Sequence, residues 1–156
     1  GAKKINQTIP HIKTPLHIWH QTGEIHLEEV KALYKNTIHS EVKIEPFIEN
    51  MAEAYAWADL VICRAGAMTI SELIASNSIA ILIPFPYATD NHQKINAEIL
   101  SKNEAGILLE EASLHFETID KEIGLLSEER LYEMSKKLES LKVLNPEKLI
   151  ADQLLH

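Results

Sequence analysis

Apolar and polar positions alternate between two kinds of segment along this chain. Short apolar or β-branched runs occur at LHIWH (16–20), EVKIEPFI (41–48), DLVICRA (59–65), IAILIPFP (79–86) and AGILLEE (105–111). Segments with helical spacing lie between and after them, over roughly 25–37, 50–58, 68–77, 90–103, 115–125, 127–142 and 146–155. Strands that alternate with helices predict βαβ units, a parallel sheet and an α/β fold class. LVIC and IAILI are apolar at successive positions, the pattern of central strands covered on both faces. KKINQTIPHI reads as a helix that begins almost at residue 1. A doubly wound fold places a central strand ahead of such a helix, so the chain reads as a fragment of something longer. The plainer alternative is a tag-derived glycine in front of a surface helix.

Composition narrows the class. A length of 156 residues predicts one domain, and 46% hydrophobic with 24% charged residues predicts a folded one. No apolar run approaches the ~18 residues of a membrane helix, and GAKKINQTIP lacks the apolar core of a signal peptide. The single cysteine, Cys63, excludes an internal disulfide and fits a reducing cytoplasm. A net charge of −8 argues against nucleic acid as a partner and against anchoring to anionic lipid through this chain alone. His17 and His20 are three apart in an expected strand, which points them to opposite faces and away from a shared metal. No metal site or cofactor is expected. No G-x-S-x-G, Walker A loop, G-x-G-x-x-G or D-x-D occurs. Cys63, in an apolar strand, reads as inert packing.

Three strand ends carry unusual chemistry, and ligands of open parallel sheets bind beyond such ends. In CRAGAMTISE (63–72), Ala65, Gly66 and Ala67 leave the backbone open at a helix start, where unpaired N–H groups and the helix dipole favour a phosphate. Glu72, one turn in, could accept from two vicinal ribose hydroxyls. Thr69 to Glu72 fits a capping box equally well. In PFPYATDNHQKINAE (84–98), Asp90, His92, Gln93 and Asn96 gather the donors and acceptors that sugar hydroxyls require. A helix cap explains Asp90 and Gln93, but explains Asn96 poorly. In PFIENMAEAYAWAD (46–59), Phe47 and Ile48 end a strand where an apolar shelf could hold a flat base. Ordinary core packing is the more economical reading of both, and of Tyr55 and Trp57.

Together, AYAWADLVICRAGAMTISEL, the PFP–ATDNHQ–NA loop, INQTIP and IWHQTG (18–23) resemble the C-terminal half of the MurG family. These are the UDP-N-acetylglucosamine:undecaprenyl-pyrophosphoryl-MurNAc-pentapeptide N-acetylglucosaminyltransferases of bacterial cell-wall synthesis. The likeness runs from Gly1 to about residue 111 and, more loosely, to the end. It implies a Rossmann-like parallel sheet with helices on both faces, one half of a GT-B glycosyltransferase. Residues 1–156 would be the donor-binding C-terminal domain, without the N-terminal acceptor domain and the first central strand.

The resemblance also implies the site. Uracil would meet the Ile48 backbone, and the pyrophosphate would lie at Gly66, Ala67, Met68 and Thr69, with Ser71 beside them. Glu72 would hold the ribose. His92 and Gln93 would face the N-acetylglucosamine hydroxyls, with Asp90 and Asn96 shaping that loop. The family motif often has serine where this chain has Ala65. The acceptor lipid I, the inner-membrane surface and the catalytic base would belong to the absent domain, so none of these residues is implied as the base. The intact enzyme would make lipid II with inversion, peripheral on the cytoplasmic face of the inner membrane. Two alternatives keep the fold: a stand-alone nucleotide-sugar-binding subunit of a split GT-B enzyme, and an epimerase or glycolipid glucosyltransferase. The match around ATDNHQ disfavours the second.

Overall fold

Every strand pairing in the structure, a computed structural model that describes residues 2–87 and 92–144, is parallel. The five apolar runs become five strands: β1 (His17–Gln21), β2 (Glu41–Glu45), β3 (Val61–Cys63), β4 (Ala80–Leu82) and β5 (Ile107–Leu108). Seven α-helices accompany them among the described residues: α1 (Lys3–Thr8), α2 (Leu27–Tyr34), α3 (Met51–Trp57), α4 (Ala67–Ala75), α5 (His92–Ser101), α6 (Phe116–Gly124) and α7 (Glu128–Val143). The expected helix over 146–155 lies outside the described residues. The sheet is divided in two, with order β1-β2 and order β3-β4-β5. The chain correspondingly forms two compact units, Gly1–Ala54 with Ser113–Leu125, and Tyr55–Ala112 with Leu126–His156.

In the first unit, β1 and β2 run in register from His17 opposite Glu41 to Gln21 opposite Glu45. The ladder continues past both strands through Thr22 N–H to Glu45 O at 2.9 Å and Gly23 N–H to Pro46 O at 2.8 Å. Gly23 has φ of +78°, a left-handed conformation that favours glycine. Strand alternation exposes His17 and buries His20, as their spacing predicts. The His20 ring is held at both nitrogens, by Tyr34 Oη at 2.6 Å and Asn6 Oδ1 at 2.8 Å. Asn6 Nδ2 in turn donates to Thr22 O at 3.0 Å. One buried polar network thus joins α1, β1 and α2. Around it Ile5, Ile9, Ile12, Val30 and Ile119 are buried. Asp120 on α6 accepts from Lys13 N–H and Thr14 N–H, each at 2.9 Å, and from the Thr14 hydroxyl at 2.7 Å. Burial works to raise this carboxyl, but those donors outweigh it and hold Asp120 below the usual carboxylate range.

In the second unit, β4 is the middle strand, and Ala80 to Ile83 are fully buried as a strand covered on both faces should be. The same expectation for LVIC does not hold. β3 stands at the end of the strand order and its residues are only half-buried. Gly106 lies where β5 meets α5, and a Cβ there would come within 3.0 Å of Leu100 Cβ. α7 buries Met134, Leu138 and Leu141, a helical stripe, and is capped by Ser127 Oγ accepting from Arg130 N–H at 3.1 Å. Asn77 Nδ2 donates to Ser135 Oγ on α7 at 2.7 Å. Tyr55 is buried as expected, but Trp57 is 49% exposed and is not a core residue.

The network in the first unit makes stability pH-dependent. Burial lowers His20 from its ordinary value to about 4. The unfolded chain therefore takes up a proton between about pH 6.5 and 4 that the folded chain refuses, and stability falls as pH drops through that window. Urea denaturation should show a loss of about 2–3 kcal/mol from pH 7 to pH 4, smaller in a His20→Gln variant. An equal loss in both proteins would assign it elsewhere.

Candidate functional site

The chain leaves β3 through Arg64, Ala65 and Gly66 and enters α4 at Ala67. Gly66 is the N-cap residue, in extended conformation (φ −66°, ψ 154°), and no side chain caps the helix there. The first intrahelical bond runs from Ile70 N–H to Gly66 O at 3.0 Å. Thr69 is therefore inside the first turn rather than at the cap, and Glu72 lies a turn further on. This removes the capping-box reading of Thr69 and Glu72, which requires the threonine at the cap position. The Glu72 carboxylate instead accepts from Tyr55 Oη at 2.7 Å. The Gly66 backbone is open to any residue, and a Cβ there would meet only Thr69 Oγ1, at 3.8 Å. The fold itself does not demand glycine at this position. Met68 is 78% exposed; Ala67, Thr69 and Ser71 are half-buried.

Helix α5 fixes the turn before α4. Ala65 N–H donates to Gln93 Oε1 at 3.3 Å, and Phe85 N–H donates to the same oxygen at 2.8 Å. Asn96 Nδ2 donates to Ala65 O at 3.0 Å. The Ala65 peptide groups are thus held on the amide side by Gln93 and on the carbonyl side by Asn96. Asn96 is 2% exposed, and its Oδ1 is buried without a hydrogen-bond partner among the described residues. Asn96 therefore holds the β3–α4 turn. Gln93 spends its carbonyl oxygen on backbone amides. His92, the first residue of α5, is exposed. Asp90 lies outside the described residues.

Arg64 was not foreseen as a site residue. Its Nη1 donates to Ile83 O at 3.3 Å, its Nη2 forms an ion pair with Glu111, and its guanidinium lies over Phe85 at 5.4 Å from the ring centroid. It braces the ends of β3, β4 and β5 from one side chain. Cys63 is pushed up to about 12 by burial, consistent with an inert thiol. Among the described residues no group of three or more His, Cys, Asp or Glu could hold a metal ion.

In the first unit, β2 ends at Glu45, so Phe47 and Ile48 lie beyond the strand rather than at its end. Phe47 is 60% exposed and Ile48 half-buried, which overturns the core reading of both. Ile48 N–H donates to Gln21 Oε1 at 2.8 Å. Beside it Trp19 Nε1 donates to Glu45 Oε2 at 2.6 Å, and Lys43 Nζ lies 4.3 Å over the Trp19 ring.

Comparison with known proteins gives a consistent picture. Residues 1–154 match the model of the glycosyltransferase family 28 C-terminal domain. The chain is 46% identical over 155 residues to the UDP-N-acetylglucosamine–N-acetylmuramyl-(pentapeptide) pyrophosphoryl-undecaprenol N-acetylglucosamine transferase of Vesicomyosocius okutanii subsp. Calyptogena okutanii (strain HA), covering 99% of this chain and 45% of that protein. The protein of the same name from Cellvibrio japonicus (strain Ueda107) is 49% identical over 120 residues, 73% of this chain and 33% of its own. A crystal structure of Acinetobacter baumannii MurG matches with a TM-score of 0.83 at 31% identity, over 100% of this chain and 49% of that one. The chain thus spans less than half the length of these relatives.

The turn before α4 should be sensitive to α5. Asn96→Ala leaves the Ala65 carbonyl without its buried donor and should cost about 1–3 kcal/mol in urea denaturation. An unchanged midpoint would mean that the turn holds itself.

Proposed function

The chain belongs to the glycosyltransferase family 28 C-terminal domain family, and we propose that it binds UDP-N-acetylglucosamine as the donor half of the enzyme that converts lipid I to lipid II. The observation that carries this reading is the start of α4. It has no side-chain cap, opens on a glycine that the fold does not need, and has Glu72 on its second turn with the carboxylate drawn to Tyr55 rather than folded back on the helix. Helix N-terminal amides satisfy phosphate oxygens, and the dipole favours their charge.

The diphosphate is assigned to the amides from Gly66 to Thr69, with exposed Met68 and the Ser71 hydroxyl at its margin. Glu72 is assigned the two ribose hydroxyls, which donate to its carboxylate. His92 and the Nε2 group of Gln93 are assigned the sugar hydroxyls, with Asp90, two residues earlier in the sequence, assigned to the same part of the site and Asn96 keeping the turn in place. In the first unit, the Gln21 carboxamide oxygen now accepts from Ile48 N–H as a base carbonyl would. We assign that amide to the base.

In transfer, the hydroxyl of the acceptor attacks the anomeric carbon as the bond to the diphosphate breaks, with inversion. The contribution of these residues is to position the donor and to stabilise the charge that collects on the leaving diphosphate through preorganised N–H groups. The acceptor lipid, the general base and the contact with the cytoplasmic face of the inner membrane are assigned to the part of the enzyme that these relatives carry beyond the matched region. No helix of the described residues is long and apolar enough to cross a membrane.

Two results test the reading. Calorimetry should show that Glu72→Ala weakens UDP binding by about 1–3 kcal/mol, the range for hydrogen bonds to a charged group, with the thermal transition retained. Equal affinity in a folded variant would remove Glu72 from the site. UDP affinity should also survive a chelator, because the helix amides carry the diphosphate charge; strict dependence on added magnesium would contradict that account.

A further inference from the structure

We infer that Tyr55 is the positioning residue for Glu72, holding one carboxylate oxygen so that the other is presented to the ribose. The inference rests on the donor-site reading above and deepens it. Glu72 stands on the exposed face of α4, and an exposed glutamate ordinarily samples many rotamers. Here its Oε2 is fixed at 2.7 Å by the hydroxyl of Tyr55, seventeen residues earlier in the chain. Tyr55 is 8% exposed, so its ring is set by packing and the direction of its hydroxyl is set with it.

The chemistry is one-sided. A phenol has a single proton to donate, and it is committed to Oε2. A carboxylate has about four acceptor positions, so Oε1 keeps its capacity for ribose hydroxyls. Burial first, and then the hydrogen bond to Glu72, push the phenol well above its ordinary value, so that it remains a donor across the physiological range. Tyr55 touches no ligand in this scheme. It removes the rotamer freedom that Glu72 would otherwise lose on binding, which is preorganisation. A merely structural role, in which the bond only ties α3 to α4, would give the same contact in the free protein but no dependence on the sugar of the ligand.

The test uses that difference. The 156-residue chain, Tyr55→Phe, Glu72→Gln and the double variant are titrated calorimetrically with UDP and with 2′,3′-dideoxy-UDP. Tyr55→Phe keeps the ring and its packing, and circular dichroism verifies the fold. UDP affinity should fall about three- to tenfold in Tyr55→Phe, within the net range of one ordinary hydrogen bond, and dideoxy-UDP affinity by less than about twofold. In the Glu72→Gln background, Tyr55→Phe should change UDP affinity by less than about twofold, because the two residues act as one unit. Equal losses for both ligands, an unchanged UDP affinity, or a full loss in the Glu72→Gln background would each overturn the role of Tyr55 and leave the donor site standing. A wild-type chain that binds no UDP would overturn the donor site, and this inference with it.

Discussion

The Ala65 peptide groups are gripped from two sides by one helix, and the rest of the second unit's chemistry depends on that grip. Gln93 takes the Ala65 N–H and Asn96 the Ala65 carbonyl, so the turn between β3 and α4 is set by side chains 28 and 31 residues away. A turn of small residues has little of its own to hold it, since alanine and glycine bring no hydrogen-bonding side chain. Holding it from outside leaves the space over Gly66 clear while fixing the axis along which α4 points its first amides. Those amides act on an anion only if their direction is fixed before binding. The neighbouring strand β4 pairs with β3, and Ala80 to Ile83 are fully buried.

The first unit solves a similar problem with a different device. Its two strands are short, and a polar network around His20 connects β1 to α1 and α2. Both ring nitrogens are satisfied, which is what permits a histidine to be buried at all. Asp120 then ties α6 back to the Lys13–Thr14 segment, more than a hundred residues earlier. The end of the β1–β2 pair is thereby a stable place from which Ile48 N–H projects, held by Gln21.

Much of this was legible in the sequence, because hydrophobic runs and helical spacing are local signals. All five runs became strands, and parallel pairing followed from the helices between them. What the pattern could not give was order and pairing at a distance. VIC is as apolar as a middle strand, yet it ends the sheet order, because burial depends on neighbours that no local window contains. The capping box at Thr69–Glu72 was an equal competitor in sequence; only the helix start at Ala67, three residues earlier than the box allows, removed it. Tyr55 and Arg64 were missed for the same reason. Tyr55 fits a core position on α3, and only the fold brings its hydroxyl to Glu72. Asn96, by contrast, was marked by its poor helix propensity, and its purpose proved to be the Ala65 carbonyl.

The amides opening α4 are proposed to receive the diphosphate of a nucleotide sugar. The most direct measurement is a nitrogen-15 NMR titration of the chain with UDP-N-acetylglucosamine, following the backbone amides of Gly66 to Thr69. These amides should show the largest, saturable shifts, moved downfield by a phosphate acceptor. Saturable binding with those four amides unmoved, or no binding by the folded chain, would contradict that proposal.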